Sequence, residues 1–173
     1  QLSSTSAGTC TVTATMPGDS TYADVSSAGT TVTFAKADLY VTASTTSLTY
    51  GDAVPTITPS YQGFVLTDGA GSLTTAPTCS TVYTTSSNVG SYATSCSGGV
   101  SGNYLFHYTD GSVTVGQATP TLSWSGTTKT YGNAPFTLTA PTATGIGGAA
   151  VAGSSTYVSS DTAVATVSGS LVS

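Results

Sequence analysis

The chain of 173 residues carries few charges, with two Lys or Arg residues against seven Asp or Glu residues and a net charge of −5. Because this balance provides no basic surface to neutralise phosphates, nucleic acid is excluded as a partner. No apolar run approaches the roughly 20 residues of a membrane-spanning helix, so we expect no membrane insertion by this segment.

Strands are predicted along the whole chain. Thr, Val and Tyr, which favour strands, are abundant, whereas the charged helix formers are nearly missing. Apolar and hydroxyl residues alternate with a period of two, which is typical of strands that bury one face. In chain order, these alternating segments are residues 11–14, 31–34, 40–43, 112–115 and 165–168. Turn-forming residues separate the strands at spacings of roughly 8 to 12 residues, as in a β-sandwich.

Two sets of landmarks repeat within the chain. The sequence Thr-Tyr-Gly-Asp-Ala at residues 49–53 recurs as Thr-Tyr-Gly-Asn-Ala at residues 130–134. An interval that begins with Gly and ends with Tyr occupies residues 8–22, and an interval of equal length occupies residues 90–104. Internal repetition of this kind predicts repeated structural units.

The landmarks divide the chain into three parts. The N-terminal segment, residues 1–36, holds only the Gly-to-Tyr interval and is predicted to be the later half of a β-sandwich. The middle unit, residues 37–116, holds both sets and is predicted to be complete. The C-terminal segment, residues 117–173, holds only the Thr-Tyr-Gly-Asn-Ala sequence and is predicted to be the early half of a β-sandwich. A neighbouring copy of residues 1–36 would complete this sandwich. Two alternatives remain open, in which the terminal segments pair within one chain or between neighbouring subunits.

Four landmarks follow one another in the middle unit. They are residues 48–55, Val-Gly-Ser-Tyr at 89–92, Gly-Asn-Tyr at 102–104, and residues 108–115. In these four landmarks the middle unit resembles the MBG family of extracellular bacterial repeats. The flanking segments are similar to other bacterial Ig-like repeats. The resemblance implies an all-β fold of tandem Ig-like β-sandwiches in a secreted or cell-surface bacterial protein. No catalytic residue belongs to the family pattern, so an enzyme is not expected.

The three cysteines divide into a pair and a single residue. Cys79 and Cys96 lie on predicted consecutive strands, and in an exported protein they are expected to form a disulfide, with two buried thiols as the alternative. Cys10 is either a free buried thiol or bridges to a neighbouring repeat or chain. A zinc site needs four ligands at tetrahedral spacing, and the three cysteines and one histidine show no such spacing, so no metal or cofactor is expected.

Few other side chains could carry chemistry. His107 lies in a predicted strand without the partners that a catalytic base requires, so no catalytic residue is predicted. The Asp residues are scattered and suit turns, with weak calcium binding near Asp38 as a minor alternative. Trp124 is expected to pack in the core, while an exposed sugar-stacking ring is the alternative.

Together these features predict a structural repeat of an extracellular protein, either an adhesin stalk or a filament subunit. Sheet edges are usually protected by Lys or by inward-pointing charges, which this chain almost lacks, so its edges are expected to be short, twisted, glycosylated or covered by neighbours. Neighbouring repeats of the same protein are the expected partners. A head-to-tail homopolymer is one form of such an assembly. The alternative function is a carbohydrate- or surface-binding module, with a glycan as partner.

Overall fold

The computed structural model describes residues 3–173. Over this range the chain forms 17 β-strands and two single-turn 3-10 helices, which confirms the all-β prediction. No helix in the described range has the length and apolar character required to cross a membrane.

The strands are distributed over all three parts of the chain. The N-terminal segment contains β1 (Gly8–Val12), β2 (Thr15–Met16), β3 (Val25–Ser26) and β4 (Thr30–Phe34). The middle unit contains β5 (Ala37–Ala43), β6 (Thr46–Thr49), β7 (Pro59–Gln62), a 3-10 helix (Ala70–Ser72), β8 (Thr78–Thr81), β9 (Gly90–Ser97), β10 (Tyr104–Thr109) and β11 (Gly111–Gly116). The C-terminal segment contains β12 (Thr121–Ser123), β13 (Phe136–Thr137), β14 (Thr142–Thr144), a 3-10 helix (Ile146–Gly148), β15 (Ala150–Val151), β16 (Val167–Ser168) and β17 (Leu171–Val172).

The middle unit consists of two sheets that share one core. One sheet has the strand order β10-β5-β7, and the other has the order β6-β11-β9-β8. Strands β5, β9, β10 and β11 place alternate side chains into the space between the sheets, because side chains of a strand point to opposite faces in turn. The buried apolar residues are Leu39, Val41, Ala43, Ile57, Tyr83, Cys96, Tyr104, Val113 and Val115.

The first two strands of the middle unit, β5 and β6, run parallel to its last two strands, β10 and β11, and here each of these strand pairs is called the first or the last strand of the unit. On one sheet β5 pairs with β10, from Ala37 opposite Tyr104 to Thr42 opposite Thr109. On the other sheet β6 pairs with β11 in the same register. Because both strand paths pass together from one sheet to the other, the unit begins and ends at opposite poles.

The passage between the two sheets depends on a close backbone approach at Gly111. A Cβ atom added at Gly111 would lie 2.5 Å from the carbonyl oxygen of Ala43 and 2.7 Å from Oγ1 of Thr94. Thr94 is fully buried and donates a hydrogen bond of 2.9 Å to the carbonyl oxygen of Ser44. The passage between the sheets is therefore held by the buried side chain of Thr94, and it leaves room only for Gly at position 111.

The terminal segments form small sheets with little burial. In the N-terminal segment β1 pairs with β4 and β2 pairs with β3. In the C-terminal segment the sheets have the orders β12-β14-β15 and β13-β17-β16. Among the described residues, every buried one lies between Leu39 and Val115. The strand predicted at residues 165–168 is shorter than expected, because a turn precedes β16.

Candidate interaction surfaces

A disulfide joins two strands near the edge of the larger sheet. Cys79 on β8 lies directly opposite Cys96 on β9, and their sulfur atoms are bonded. Cys96 is buried in the core, and Cys79 packs against that core. The bond therefore closes the loop between β8 and β9 and attaches the edge strand β8 to the centre of the sheet.

Cys10 is a free and exposed thiol on β1. The expectation of a buried thiol is wrong, because the two-stranded sheet that carries Cys10 has no second layer over it in the described part of the chain. Cys10 lies opposite Val32, and directly opposed residues of an antiparallel pair share a face. Val32 is only half-buried, so this face of the sheet is partly open to solvent.

His107 belongs to a surface cluster on the smaller sheet. Its Nε2 atom lies 2.7 Å from Oδ1 of Asp38, and its ring stacks on Tyr40 with 5.0 Å between ring centroids. Both side chains are about half exposed, so the pair connects the parallel strands β5 and β10 at the surface. This is the Asp38 that was considered above for weak calcium binding. In residues 3–173 no group of three His, Cys, Asp or Glu side chains is arranged to hold a metal ion.

Two buried tyrosines use their hydroxyl groups to attach loops to the core. Tyr104 donates a hydrogen bond of 2.7 Å to the carboxylate of Asp68 and accepts one of 3.1 Å from Val65 N–H. Tyr83 donates one of 2.7 Å to the carbonyl oxygen of Asp52. Burial raises the pKa of both tyrosines, and the neighbouring Asp residues raise it further. The sequence did not reveal these contacts, because the partners lie more than 30 residues apart.

An open cleft of about 800 Å³ lies in the C-terminal segment. Trp124 borders it, with its indole N–H donated to the carbonyl oxygen of Thr139 at 2.9 Å and its ring centroid 5.8 Å from that of Tyr157. The apolar side chains that line the cleft include Leu122, Trp124, Phe136, Leu138, Tyr157 and Val167. They come from both sheets of the segment, so the cleft occupies the place where a shared core would lie.

Comparison with protein families gives a match to the MBG domain (YGX type) over residues 39–114. The middle unit is an MBG domain. The match agrees with the resemblance noted in the sequence and points to an extracellular repeat module. Comparisons with curated proteins and with solved structures give no match.

An antiparallel strand pair in the N-terminal segment repeats the geometry of a strand pair in the MBG domain. Strands β1 and β4 pair over five positions, beginning with Gly8 opposite Phe34. In the MBG domain β9 and β11 pair over five positions, beginning with Gly90 opposite Val115. Both strand pairs are antiparallel, and the first strand of each begins at a Gly with positive φ. Strand β4 is therefore the counterpart of β11, and β1 is the counterpart of the first part of β9.

The C-terminal segment repeats a turn of the MBG domain. Gly51 and Gly132 have the same φ of 91°, which favours Gly. Asp52 accepts a hydrogen bond from the N–H three residues before it at 2.7 Å, and Asn133 accepts the corresponding bond at 2.8 Å. The repeated Tyr-Gly-Asp and Tyr-Gly-Asn sequences thus form the same turn in both places.

Proposed function

We propose that the chain is a load-bearing structural repeat of a secreted or cell-surface bacterial protein, as part of an adhesin stalk or an extracellular filament. The parallel pairing of the first and last strands of the MBG domain is the observation that supports this function. Six paired positions on one sheet continue into four on the other.

Tension applied to the ends of the MBG domain would load this pairing in shear. The chain enters at Ala37 and leaves at Gly116, at opposite poles of the domain. Two parallel neighbours pulled from opposite ends must slide past each other, so their hydrogen bonds bear the load together. Pulling them apart from one end would instead break the bonds one after another. The domain is therefore built to resist extension along the chain.

Contacts at both poles restrict bending between the parts of the chain. At the N-terminal pole, Lys36 Nζ donates to the carbonyl oxygen of Ser101 at 2.8 Å, and Ala7 N–H donates to Oδ1 of Asn103 at 3.0 Å. At the other pole, a Cβ atom added at Gly51 would lie 2.8 Å from the side chain of Ile146, so the C-terminal segment packs closely there. Short junctions of this kind suit a spacer.

The disulfide fits an extracellular location and a mechanical role. Disulfides persist in oxidising compartments outside the cell and are rare in the cytosol. Once tension had separated the first and last strands, the Cys79–Cys96 bond would still keep the intervening loop closed. Part of the domain would then remain compact under load.

Single-molecule pulling on the full chain tests this function through the direction of force. Tethers at Lys36 and Gln117 load the strand pair in shear, whereas tethers at Lys36 and Asn103 open it from one end. We expect a rupture force several-fold higher in the first geometry. Equal forces in the two geometries would contradict the load-bearing role.

The same experiment measures the contribution of the disulfide. The cysteines are 17 positions apart, and each extended residue adds about 3.5 Å. After reduction, each unfolding step of the domain should therefore be longer by roughly 60 Å. A step of unchanged length would mean that the bond does not close this loop.

Carbohydrate binding, the alternative function, would use the cleft beside Trp124. Half of this side chain is exposed, which leaves ring surface for a sugar. Its N–H, however, already bonds to Thr139, so the indole would contribute ring stacking without its hydrogen-bond donor. Binding to a glycan array that is lost in Trp124→Ala and retained in Tyr40→Ala would support this alternative.

A further inference from the structure

The outer edge of β4 is open where its counterpart in the MBG domain is paired. Strand β11 lies between β9 and β6, whereas β4 has only β1 as a neighbour within residues 3–173. The position that β6 occupies in the MBG domain is therefore vacant beside β4. An unprotected edge of this kind is a template for pairing with another strand.

The C-terminal segment contains a counterpart of β6 that has no strand partner in the described range. Residues 127–130 precede the Tyr-Gly-Asn turn as β6 precedes the Tyr-Gly-Asp turn, and they form no strand. In the MBG domain, Tyr50 N–H donates to the carbonyl oxygen of Gly116 at 2.9 Å. No acceptor for the corresponding N–H of Tyr131 lies within residues 3–173. Each terminal segment therefore has one half of the same strand pair.

The second sheet has the same complementarity. Strand β12 pairs with β14 as β5 pairs with β7, so β12 is the counterpart of β5. The other edge of β5 holds β10, but the corresponding edge of β12 is open in the described chain. The counterpart of β10 lies around β3 in the N-terminal segment, because Tyr22 precedes it as Tyr104 begins β10.

Burial differs at corresponding positions of the MBG domain and the terminal segments. Val41 is 0% exposed, whereas its counterpart Leu122 is 67% exposed. Tyr104 is 2% exposed, whereas Tyr22 is 74% exposed. These side chains stand at core positions without the other half of a core. The open cleft beside Leu122 is the space that such a half would fill.

We propose that the N-terminal segment of one copy of this chain docks on the C-terminal segment of another copy and completes a second two-sheet unit. In this arrangement β4 pairs in parallel with residues 127–130, with Val32 opposite Thr127, as Val113 is opposite Thr46. Strand β12 receives the segment around β3, and the cleft closes over Tyr22. Within residues 3–173 the two segments form separate sheets, and a second copy offers each of them the matching half.

The size of the contact is sufficient for a specific interface. The aromatic rings of Tyr22, Trp124 and Tyr131 are half to fully exposed, and covering them would remove on the order of 400 Å² of apolar surface from water. Other exposed apolar side chains and two newly paired strand edges bring the contact to the order of 1,000 Å² that specific interfaces need. The two contacting surfaces differ, so the assembly is head-to-tail and grows as an open fibre.

The first test measures the association of the 173-residue chain as its concentration rises, by sedimentation velocity and electron microscopy. We expect a series of growing oligomers and fibres. Leu122→Asp should remain monomeric, because it places a charge at the centre of the joint core. Val82→Asp adds the same charge at a similarly exposed site on the MBG domain and should assemble like the unmodified chain.

A mixing test shows whether the contact joins opposite ends. Tyr22→Asp blocks the N-terminal segment, and Leu122→Asp blocks the C-terminal segment, so each variant alone should be monomeric. Each nevertheless retains one intact end. A mixture of the two should therefore form dimers and no longer species. Circular dichroism spectra that match the unmodified chain show that both variants are folded.

The thiol of Cys10 provides an independent readout. Cys10 is the counterpart of Tyr92, which packs against the MBG core, so docking should cover it. We expect its reaction with a water-soluble maleimide to slow at least tenfold in the assembled chain.

Several results would overturn the proposal. They are a chain that stays monomeric at every concentration, a Leu122→Asp variant that assembles normally, and glycan binding at Trp124 by a chain that does not associate. Failure of this assembly would leave the load-bearing function untouched, because a monomeric chain could still show a high rupture force in shear. Conversely, fibres whose MBG domains yield at low force would support this proposal alone.

Discussion

The hydroxyl group of Thr94 donates a hydrogen bond of 2.9 Å to the carbonyl oxygen of Ser44, at the point where the chain passes from β5 in one sheet to β6 in the other. Thr94 is fully buried on β9, and Ser44 lies between β5 and β6. The hydrogen bond therefore fixes the bend between β5 and β6 against the centre of the larger sheet. The buried hydroxyl group thus supplies a donor to a backbone carbonyl group that lies outside any strand.

Replacing Thr94 with Val should reduce the free energy of unfolding of the MBG domain by about 1–3 kcal/mol. The shape of the side chain is preserved, but the carbonyl group of Ser44 loses its donor in a poorly hydrated place. Urea denaturation of the full chain measures the difference. Thr114→Val makes the same change at an exposed position of β11 and should alter stability by less than about 0.5 kcal/mol. Equal effects of the two changes would contradict the role of this bond.

Gly111→Ala should destabilise the same crossing by steric conflict. The added Cβ atom would lie 2.5 Å from the carbonyl oxygen of Ala43 and 2.8 Å from that of Ser44, and backbone atoms cannot move aside easily. We expect a loss of about 1–3 kcal/mol, as in overpacked cores, together with a lower rupture force in shear. Gly116→Ala is the matched control on the same strand, because its nearest contact would be at an ordinary 3.6 Å. If both variants melt at the same temperature, the close approach at Gly111 is unimportant.

The stability of the MBG domain should fall at alkaline pH. The pKa values of Tyr104 and Tyr83 are raised in the folded state, so above a pH of about 10 the unfolded chain loses tyrosine protons that the folded chain keeps. The free energy of unfolding should therefore be insensitive to these groups below that pH and decrease above it. Denaturation curves measured between neutral and alkaline pH would show this decline.

Tyr104→Phe separates the two contributions of the hydroxyl group. At neutral pH the variant should lose about 1–3 kcal/mol, because Asp68 and Val65 lose their hydrogen-bond partner. Above a pH of about 10, the free energy of unfolding of the variant should fall less steeply than that of the unmodified chain, since one tyrosine with a raised pKa is absent. Tyr22→Phe, at an exposed position, should leave neutral stability unchanged. A decline of unchanged steepness in Tyr104→Phe would show that this residue does not cause it.

The sequence predicted the strand content and the MBG landmarks well, because both are local patterns. The alternation at residues 40–43 and 112–115 corresponds to β5 and β11, which each have one buried face. At residues 165–168 the same alternation forms only the two-residue strand β16. Few described residues near β16 cover its apolar face, so the local pattern there lacks the packing that would extend the strand.

The sites that depend on distant contacts were not predicted. Thr94 has the same local pattern as the exposed threonines of the chain, and only the bend at Ser44 distinguishes it. Asp68 was assigned to a turn, although its carboxylate also binds Tyr104 from 36 residues away. Cys10 was expected to be a free buried thiol or to bridge to a neighbouring repeat or chain, whereas its thiol is exposed on β1.

Removal of the disulfide should destabilise the MBG domain without unfolding it at room temperature. Cys79 and Cys96 close a loop with a sequence separation of 17, and loop closure of this size stabilises a fold by about 3 kcal/mol through the reduced entropy of the unfolded chain. The double variant Cys79→Ala, Cys96→Ala should lose this amount in urea denaturation. Cys10→Ala is the control, because its exposed thiol forms no such loop, and it should change stability by less than about 0.5 kcal/mol. Since the bond lies away from the parallel strand pair, the double variant should retain most of its rupture force in shear. A large fall in that force would mean that β8 and β9 also carry the load.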